Sequence, residues 1–208
     1  MSHLYLVRHG ETDWNRERRV QGSTDIPLNE MGRVQAIATG RLLATRRWDA
    51  IYASPLSRAL ETARIIAREC GLGEPVVVPA IIERSYGEAE GMDHDSIDAR
   101  FPGNTPVPGR EHWRDVSARV VPALVEIAER HPGGEVLVVS HGGAIRSVLR
   151  VVDPDVIHPT IENGSVHSFR HTDGTLELVH FDDPIERASL EVGTGTLEVQ
   201  NPAEDRAD

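Results

Sequence analysis

The 208-residue sequence contains no lysine; all 22 of its basic residues are arginine. Schiff-base catalysis and a Walker-type phosphate loop both need a lysine amine, so both are excluded. There is a single cysteine, Cys70. It rules out an intrachain disulfide and a cysteine-rich metal site. No arginine follows it at the spacing of a cysteine-phosphatase loop, and it reads as a buried helix residue. Positive charge is not in excess. A net charge of −11 argues against a nucleic-acid partner, yet it leaves room for a small anionic substrate wherever arginines dominate the field of a cleft. No apolar run approaches membrane-spanning length and no secretory core follows the first residues. The expectation is therefore a cytoplasmic protein with no membrane partner. The ten histidines show neither an H-E-x-x-H motif nor a paired spacing. Asp93-His94-Asp95 comes nearest to a metal or aspartyl-phosphatase motif, but no strand precedes it and it reads as a helix start. No metal and no cofactor are expected. Monomer and homodimer are both compatible with the chain.

What is present fits one domain. The length supports a substantial core, and 39% hydrophobic residues together with 18 glycines is ordinary for a globular chain. A strand is expected at Leu4–Arg8, then a long loop from His9 to Pro27. A helix opens at Asn29 or Glu30, with Val34, Ile37, Ala38 and Leu42 at helical spacing. Asp49–Ala53 forms a second strand. Ser54-Pro55 reads as a cap with proline at the first helical position, opening a helix that ends at Gly71. Val76–Val78 is a third strand. Residues 83–110 are irregular, and the segment of about 84–115 reads as a lid. An amphipathic helix spans about Glu111 to His131, which Pro122 should kink or split. Val136–Ser140 is the fourth strand, with a helix Ala144–Val152 after it. Val166–Phe169 and Leu176–Phe181 make a hairpin turned by Thr172-Asp173-Gly174. The catalytic domain is thus residues 1–183. An acidic tail, 184–208, follows, for which disorder fits at least as well as a marginal strand.

Two stretches repeat one event. In Leu4-Tyr5-Leu6-Val7-Arg8-His9-Gly10 and in Val136-Leu137-Val138-Val139-Ser140-His141-Gly142-Gly143, a buried-type strand runs into histidine and glycine. Ligands of parallel sheets bind outside the carboxyl ends of the strands. If both runs share a sheet, His9 and His141 meet at one edge, and the following glycines let the backbone turn and approach a ligand. The other strands lead to Arg58, in the first turn of a helix, and to Glu83. Guanidinium groups clamp phosphate oxygens in bidentate fashion, and a helix start adds free N–H groups. Two arginines, two imidazoles and one carboxylate compose a phosphoryl-transfer site. A neutral imidazole can attack phosphorus if its other nitrogen donates to a backbone carbonyl. A carboxyl group with raised pKa, such as Glu83, could then protonate the leaving oxygen.

These residues carry a resemblance. Leu6-Val7-Arg8-His9-Gly10-Glu11-Thr12 with Asn15 resembles the signature of the histidine phosphatase superfamily, in its phosphoglycerate-mutase-like branch. So do Ser54-Pro55-Leu56-Ser57-Arg58-Ala59 with Glu61-Thr62-Ala63, Glu83 with Gly87 and Glu90-Gly91, and Val139-Ser140-His141-Gly142-Gly143, in that order over about residues 3–181. The resemblance implies an α/β three-layer sandwich, its mostly parallel central sheet (one antiparallel strand) flanked by helices. It implies His9 as nucleophile, Arg8, Arg58 and His141 as holders of the phosphoryl group, and Glu83 as proton donor. Asn15, Gln21, Gly22, Ser23, Tyr86 and Gly142 would line the substrate pocket. The expected activity is a metal-independent phosphomonoesterase acting on a small phosphorylated substrate. A phosphoglycerate mutase dependent on 2,3-bisphosphoglycerate is the alternative, since Glu83-Arg84-Ser85-Tyr86-Gly87 is similar to the mutase form of the acid motif. A non-catalytic protein that binds phosphorylated ligands is a third reading.

Overall fold

The structure, a computed structural model, describes residues 1–183; the acidic tail expected at 184–208 lies outside the described residues. The chain order is β1 (Ser2–Arg8), α1 (Asp13–Arg16), α2 (Glu30–Leu43), β2 (Ala50–Ala53), α3 (Ser57–Cys70), β3 (Val76–Val77), α4 (His94–Arg100), α5 (Trp113–Glu129), β4 (Glu135–Ser140), α6 (Gly142–Val152), β5 (Val166–Thr172) and β6 (Thr175–His180). The strands form one sheet in the order β3-β2-β4-β1-β5-β6. Strands β1 to β4 pair in parallel, and β5 runs antiparallel to both its neighbours, so β5 alone opposes the other five.

The period of two along each strand divides the core. Leu4, Leu6, Val136 and Val138 pack with Val116, Val120 and Leu124 of α5 and Ile145 and Val148 of α6. Tyr5, Val7, Leu137 and Val139 pack on the opposite face with Leu43 of α2 and Ala59, Ala63 and Ile66 of α3. Continuous apolar runs in β1 and β4 follow from this: both faces of the central strands are covered. Each such leucine, isoleucine or valine contributes about 1.5–3 kcal/mol when fully buried. A register slip would exchange the two faces.

Several expected elements differ in detail. Asn29 does cap α2, its side chain accepting the Gly32 N–H at 2.8 Å. The buried face of α2, however, is Gly32, Ala36, Thr39, Gly40 and Leu43, and Val34 is 55% exposed. Small residues let α2 approach α3 closely; a Cβ on Gly40 would lie 3.0 Å from Glu69 Cβ. That face carries too little hydrophobicity to be seen in the pattern. α3 begins at Ser57 with Leu56 as its cap, so Ser54-Pro55 is not its start. Pro122 does not split α5, which is one helix; the proline is exposed, where the carbonyl it leaves unbonded can reach water. The β5–β6 hairpin turns at Asp173-Gly174, with φ of 49° and 79°, the pair of positive values a two-residue hairpin turn requires. The irregular segment after Glu83 contains a single 3-10 turn, Gly87–Ala89, and α4. It joins the loop before α2 through a small apolar cluster of Val20, Tyr86, Ala89, Ile97 and Phe101.

Candidate active site

The parallel register pairs Arg8 with Ser140, so the residues that follow both strands emerge side by side. The His9 N–H donates to the Ser140 carbonyl at 3.0 Å, and the His9 and His141 rings lie 5.1 Å apart between centroids. Gly10 permits a close approach, but to protein rather than ligand: a Cβ there would lie 2.3 Å from the Gly32 carbonyl oxygen. The loop after β1 is thereby pressed against the start of α2.

The hydrogen-bond network fixes the tautomer of His9. Nδ1 lies 2.7 Å from the Gly10 carbonyl oxygen and must donate to it, which leaves Nε2 bearing the lone pair. Nε2 faces the Arg58 guanidinium, whose Nε lies 3.3 Å away. Burial, then the positive charges of Arg58 and Arg8, hold the His9 pKa well below its ordinary 6.5; the Gly10 bond opposes them without prevailing. His141 is likewise held well below 6.5 by burial, Arg58, His9 and Arg8 in that order. Its Nε2 is 2.7 Å from Ser54 Oγ. Its Nδ1 is buried and has no hydrogen-bond partner in the described protein. Both imidazoles are neutral in a site whose positive charge resides in arginine.

Arg58 is fully buried. Its terminal nitrogens donate to the carbonyls of Thr24 at 2.8 Å and Gly22 at 2.7 Å. Arg8 Nη1 donates to the Ile161 carbonyl at 2.6 Å. The loop at 21–24 is held in turn by Glu90, whose carboxylate accepts from the amide and hydroxyl of Ser23, the amide and hydroxyl of Thr24, and the Tyr86 amide. Burial alone would raise the Glu90 pKa, but the bonds from Thr24, Tyr86 and Ser23 outweigh it and lower the pKa. Gly22 has φ of 56°, and a Cβ there would meet Glu90 Oε1 at 2.2 Å, so the position requires glycine on two counts.

Glu83 approaches from the third direction. Its Oε1 accepts the N–H groups of Ala144 at 2.9 Å and Arg84 at 2.8 Å, and its Oε2 accepts that of Gly143 at 3.1 Å. The carboxylate therefore caps the first turn of α6, where the helix dipole favours negative charge. A side chain on Gly143 would collide with it, the Cβ falling 2.6 Å from Oε1 and 3.1 Å from the Tyr86 hydroxyl.

Arg8, His9, Arg58, Glu83 and His141, the five expected catalytic positions, are thus all buried and gathered at the carboxyl edge of β1 and β4. The expected pocket residues divide. Gly22 supports Arg58 through its carbonyl, Tyr86 and the first-turn residue Gly142 are buried beside Glu83 and α6, and Asn15 accepts from Asn163 Nδ2 at 3.4 Å. Gln21 is buried against the Thr12 hydroxyl at 2.9 Å. Ser23 is exposed and committed to Glu90. Four partners were not foreseen. Ser54, read as a cap, holds His141. Thr62 accepts the Gly10 N–H at 3.1 Å and donates to the Arg58 carbonyl at 2.7 Å, tying the loop after β1 to the start of α3. Asn163 donates to the His9 carbonyl at 2.9 Å. Glu90 gathers loop 21–24. Serine and threonine inside the motifs were a signal for the first two; Asn163 lies in an aperiodic loop and gave none. Asp93 serves as the cap of α4, accepting from Ser96, and no group of three or more His, Cys, Asp or Glu suited to a metal occurs among the described residues.

Comparison with known proteins supplies a family. Residues 4–184 match the model of the histidine phosphatase superfamily (branch 1). The uncharacterized phosphatase PhoE of Bacillus subtilis is 41% identical over 160 residues, covering 75% of this chain and 81% of that protein. The 2,3-bisphosphoglycerate-dependent phosphoglycerate mutase of a Methylobacterium is 36% identical over 168 residues, covering 72% and 80%. Among solved structures, a mycobacterial glucosyl-3-phosphoglycerate phosphatase in complex with VO3 superposes with a TM-score of 0.79 at 30% identity, covering 86% of this chain and 98% of that one.

Proposed function

Because the chain belongs to the histidine phosphatase superfamily, we propose that it hydrolyses small phosphorylated metabolites through a phosphohistidine formed on His9. The observation that carries this reading is the His9 tautomer: Nδ1 bound to the Gly10 carbonyl, Nε2 unprotonated beside Arg58. In the first step Nε2 attacks phosphorus and the bond from phosphorus to the ester oxygen breaks. Arg8, Arg58 and the Nδ1 side of His141 hold the three equatorial oxygens, where charge is spread in the transition state. The departing alkoxide takes its proton from Glu83. A phosphate dianion arriving beside that carboxylate favours its proton-bound form, like charges being disfavoured at short range. In the second step Glu83 takes a proton from water, the hydroxide attacks phosphorus, the N–P bond breaks, and phosphate leaves with His9 neutral again. Atoms and protons balance with no further reactant. The intact set of nucleophile, clamp and acid disfavours a protein that only binds phosphorylated ligands.

A mutase performs the same first step but returns the phosphoryl group to a bound acid instead of water. The 36% identical mutase and the Glu83–Gly87 stretch favour that reading. Against it, three of the four lid arginines are engaged elsewhere: Arg100 pairs with Glu88, Arg84 Nε donates to the Glu111 carbonyl, and Arg114 lies over Trp113; the fourth, Arg110, lies over the Tyr86 ring, toward the acid end. A second anionic group therefore meets few cations, and water is the better-placed acceptor. 3-Phosphoglycerate primed with 2,3-bisphosphoglycerate should yield free phosphate faster than 2-phosphoglycerate. Interconversion outpacing phosphate release would overturn the hydrolase reading.

A further inference from the structure

Glu83 lies on no strand or helix. It follows a 3-10 turn, Pro79–Ile81, in a segment whose own backbone bonding cannot fix a side chain to within a fraction of an ångström. The segment is fixed from outside by one residue of α5. Arg119 Nη1 donates to the carbonyls of Ala80 at 2.8 Å and Ile82 at 2.7 Å. Its Nη2 donates to the carbonyl of Glu83 itself at 3.0 Å. The remaining two donors, on Nε and Nη2, engage the two carboxylate oxygens of Glu111 at 2.8 and 3.0 Å. All five guanidinium donors are used, in the planar fork that only arginine offers. Glu111 closes the ring: its carboxylate also accepts the Ser85 N–H at 3.2 Å, its amide donates to the Ser85 carbonyl at 2.8 Å, and its own carbonyl accepts Arg84 Nε at 2.7 Å. Carbonyls or amides of Ala80, Ile82, Glu83 and Ser85 are thus read by one ion pair that is three-quarters buried.

Resting on the proposed role of Glu83, we infer that Arg119 and Glu111 form a positioning clamp that aims the Glu83 carboxyl group at the leaving oxygen. Neither is hydrogen-bonded to Arg8, His9, Arg58 or His141; the Arg119 charge reaches that cradle only as the last of the causes that depress the His141 pKa. The clamp's hydrogen bonds act on the segment that carries the proton donor. A displacement of about 1 Å at a reacting group costs on the order of 100-fold, and that loss falls only where the leaving group needs a proton. Arg119→Gln should therefore slow phosphorylation by an alkyl phosphate about 100-fold. Phosphorylation by p-nitrophenyl phosphate, whose phenolate departs unaided, should slow less than about fivefold by the same reasoning. Inhibition by vanadate should be unchanged.

The test is a double-mutant cycle, measured as single-turnover phosphorylation with both substrates, on Glu83→Gln, Arg119→Gln and the pair. On the Glu83→Gln background the Arg119 change should add less than about threefold with the alkyl ester, because a clamp without its carboxylic acid has nothing to aim. Equal loss on both substrates, or full multiplication of the two single effects, overturns the clamp. If Arg119→Gln does not fold, Arg119→Lys and Glu111→Gln replace it; they must show the same bias toward the alkyl ester at smaller size, and its absence overturns the clamp equally. If Glu83→Gln shows no bias toward the alkyl ester, Glu83 is not the acid and the clamp falls with it. Bias in Glu83→Gln without bias in any Arg119 or Glu111 variant sinks the clamp alone.

Discussion

Arg8, His9 and His141 follow directly from β1 and β4, whose parallel register leaves them no freedom about where they emerge. Glu83 emerges from a segment without regular pairing, held by Arg119 of α5, by Glu111 just before that helix and by the first turn of α6. In the proposed mechanism, then, the phosphate end of the site is built by the sheet, and the acid end by side chains reaching carbonyls across long loops. A sheet-built end is rigid because shifting it means breaking a buried ladder. A loop-built end can be adjusted one hydrogen bond at a time, and leaving groups differ among substrates while the phosphoryl group does not.

Changes at the phosphate end should strike all substrates alike. Arg58→Ala removes the donor beside His9 Nε2 and should cost about 10³-fold in kcat/KM on alkyl and aryl phosphates equally, the size seen when one charge-stabilising donor is lost. It also removes a positive charge that depresses the His9 pKa. In the wild-type protein the acid limb of phosphorylation should lie well below pH 6.5, because His9 stays neutral as pH falls through that value. In the variant the His9 pKa rises and the limb moves toward 6.5. A limb at 6.5 in the wild type would contradict the depressed pKa.

Glu90→Gln tests whether loop 21–24 belongs to the same end. It keeps the shape and removes the charge that gathers Ser23, Thr24 and Tyr86. Hydrogen bonds to charged groups contribute about 1.5–3 kcal/mol each; partial retention by the amide should leave roughly a tenfold weakening of vanadate inhibition, with no bias between leaving groups. Bias toward the alkyl ester would transfer Glu90 to the acid end.

A smaller effect concerns stability. His9, His141 and His167 all have depressed pKa values in the folded chain, the last lowered to about 4 chiefly by burial. Below pH 6.5 the unfolded chain binds protons that these native histidines refuse, so stability rises with pH across that range and falls on acidification. Denaturant midpoints at pH 7.5 and 5.5 should differ in that sense, and replacing His167 with a neutral residue should narrow the gap. The smallest expected effect is that of chelation, which should leave turnover unchanged because the Arg8 and Arg58 guanidinium groups already supply positive charge beside His9; loss restored by a divalent ion would refute it.

The contrast between the two ends also explains what the sequence made legible. The strand–histidine–glycine units were readable because a buried strand of the sheet interior has one composition and one exit. Arg58 was readable from its place just inside α3. The face of α2 was not: Gly32, Ala36 and Gly40 pack by being small, and smallness leaves no hydrophobic period. Ser54 was misread because a serine before proline fits a cap as well as it fits a histidine partner. Arg119 and Glu111 lie on a helix and just before it, 36 and 28 positions beyond Glu83, and resemble any exposed ion pair until the fold brings three carbonyls to the guanidinium.

The central claim is that the phosphoryl group passes through His9. The direct measurement is a rapid quench of the wild-type protein with a labelled phosphate monoester, followed by alkaline digestion and localisation of the labelled peptide. The account predicts a base-stable, acid-labile label on the peptide containing His9, formed no slower than phosphate is released and absent from His9→Ala. An acid-stable label, a label that persists in His9→Ala, or one that maps to Asp93 or His141 would contradict it.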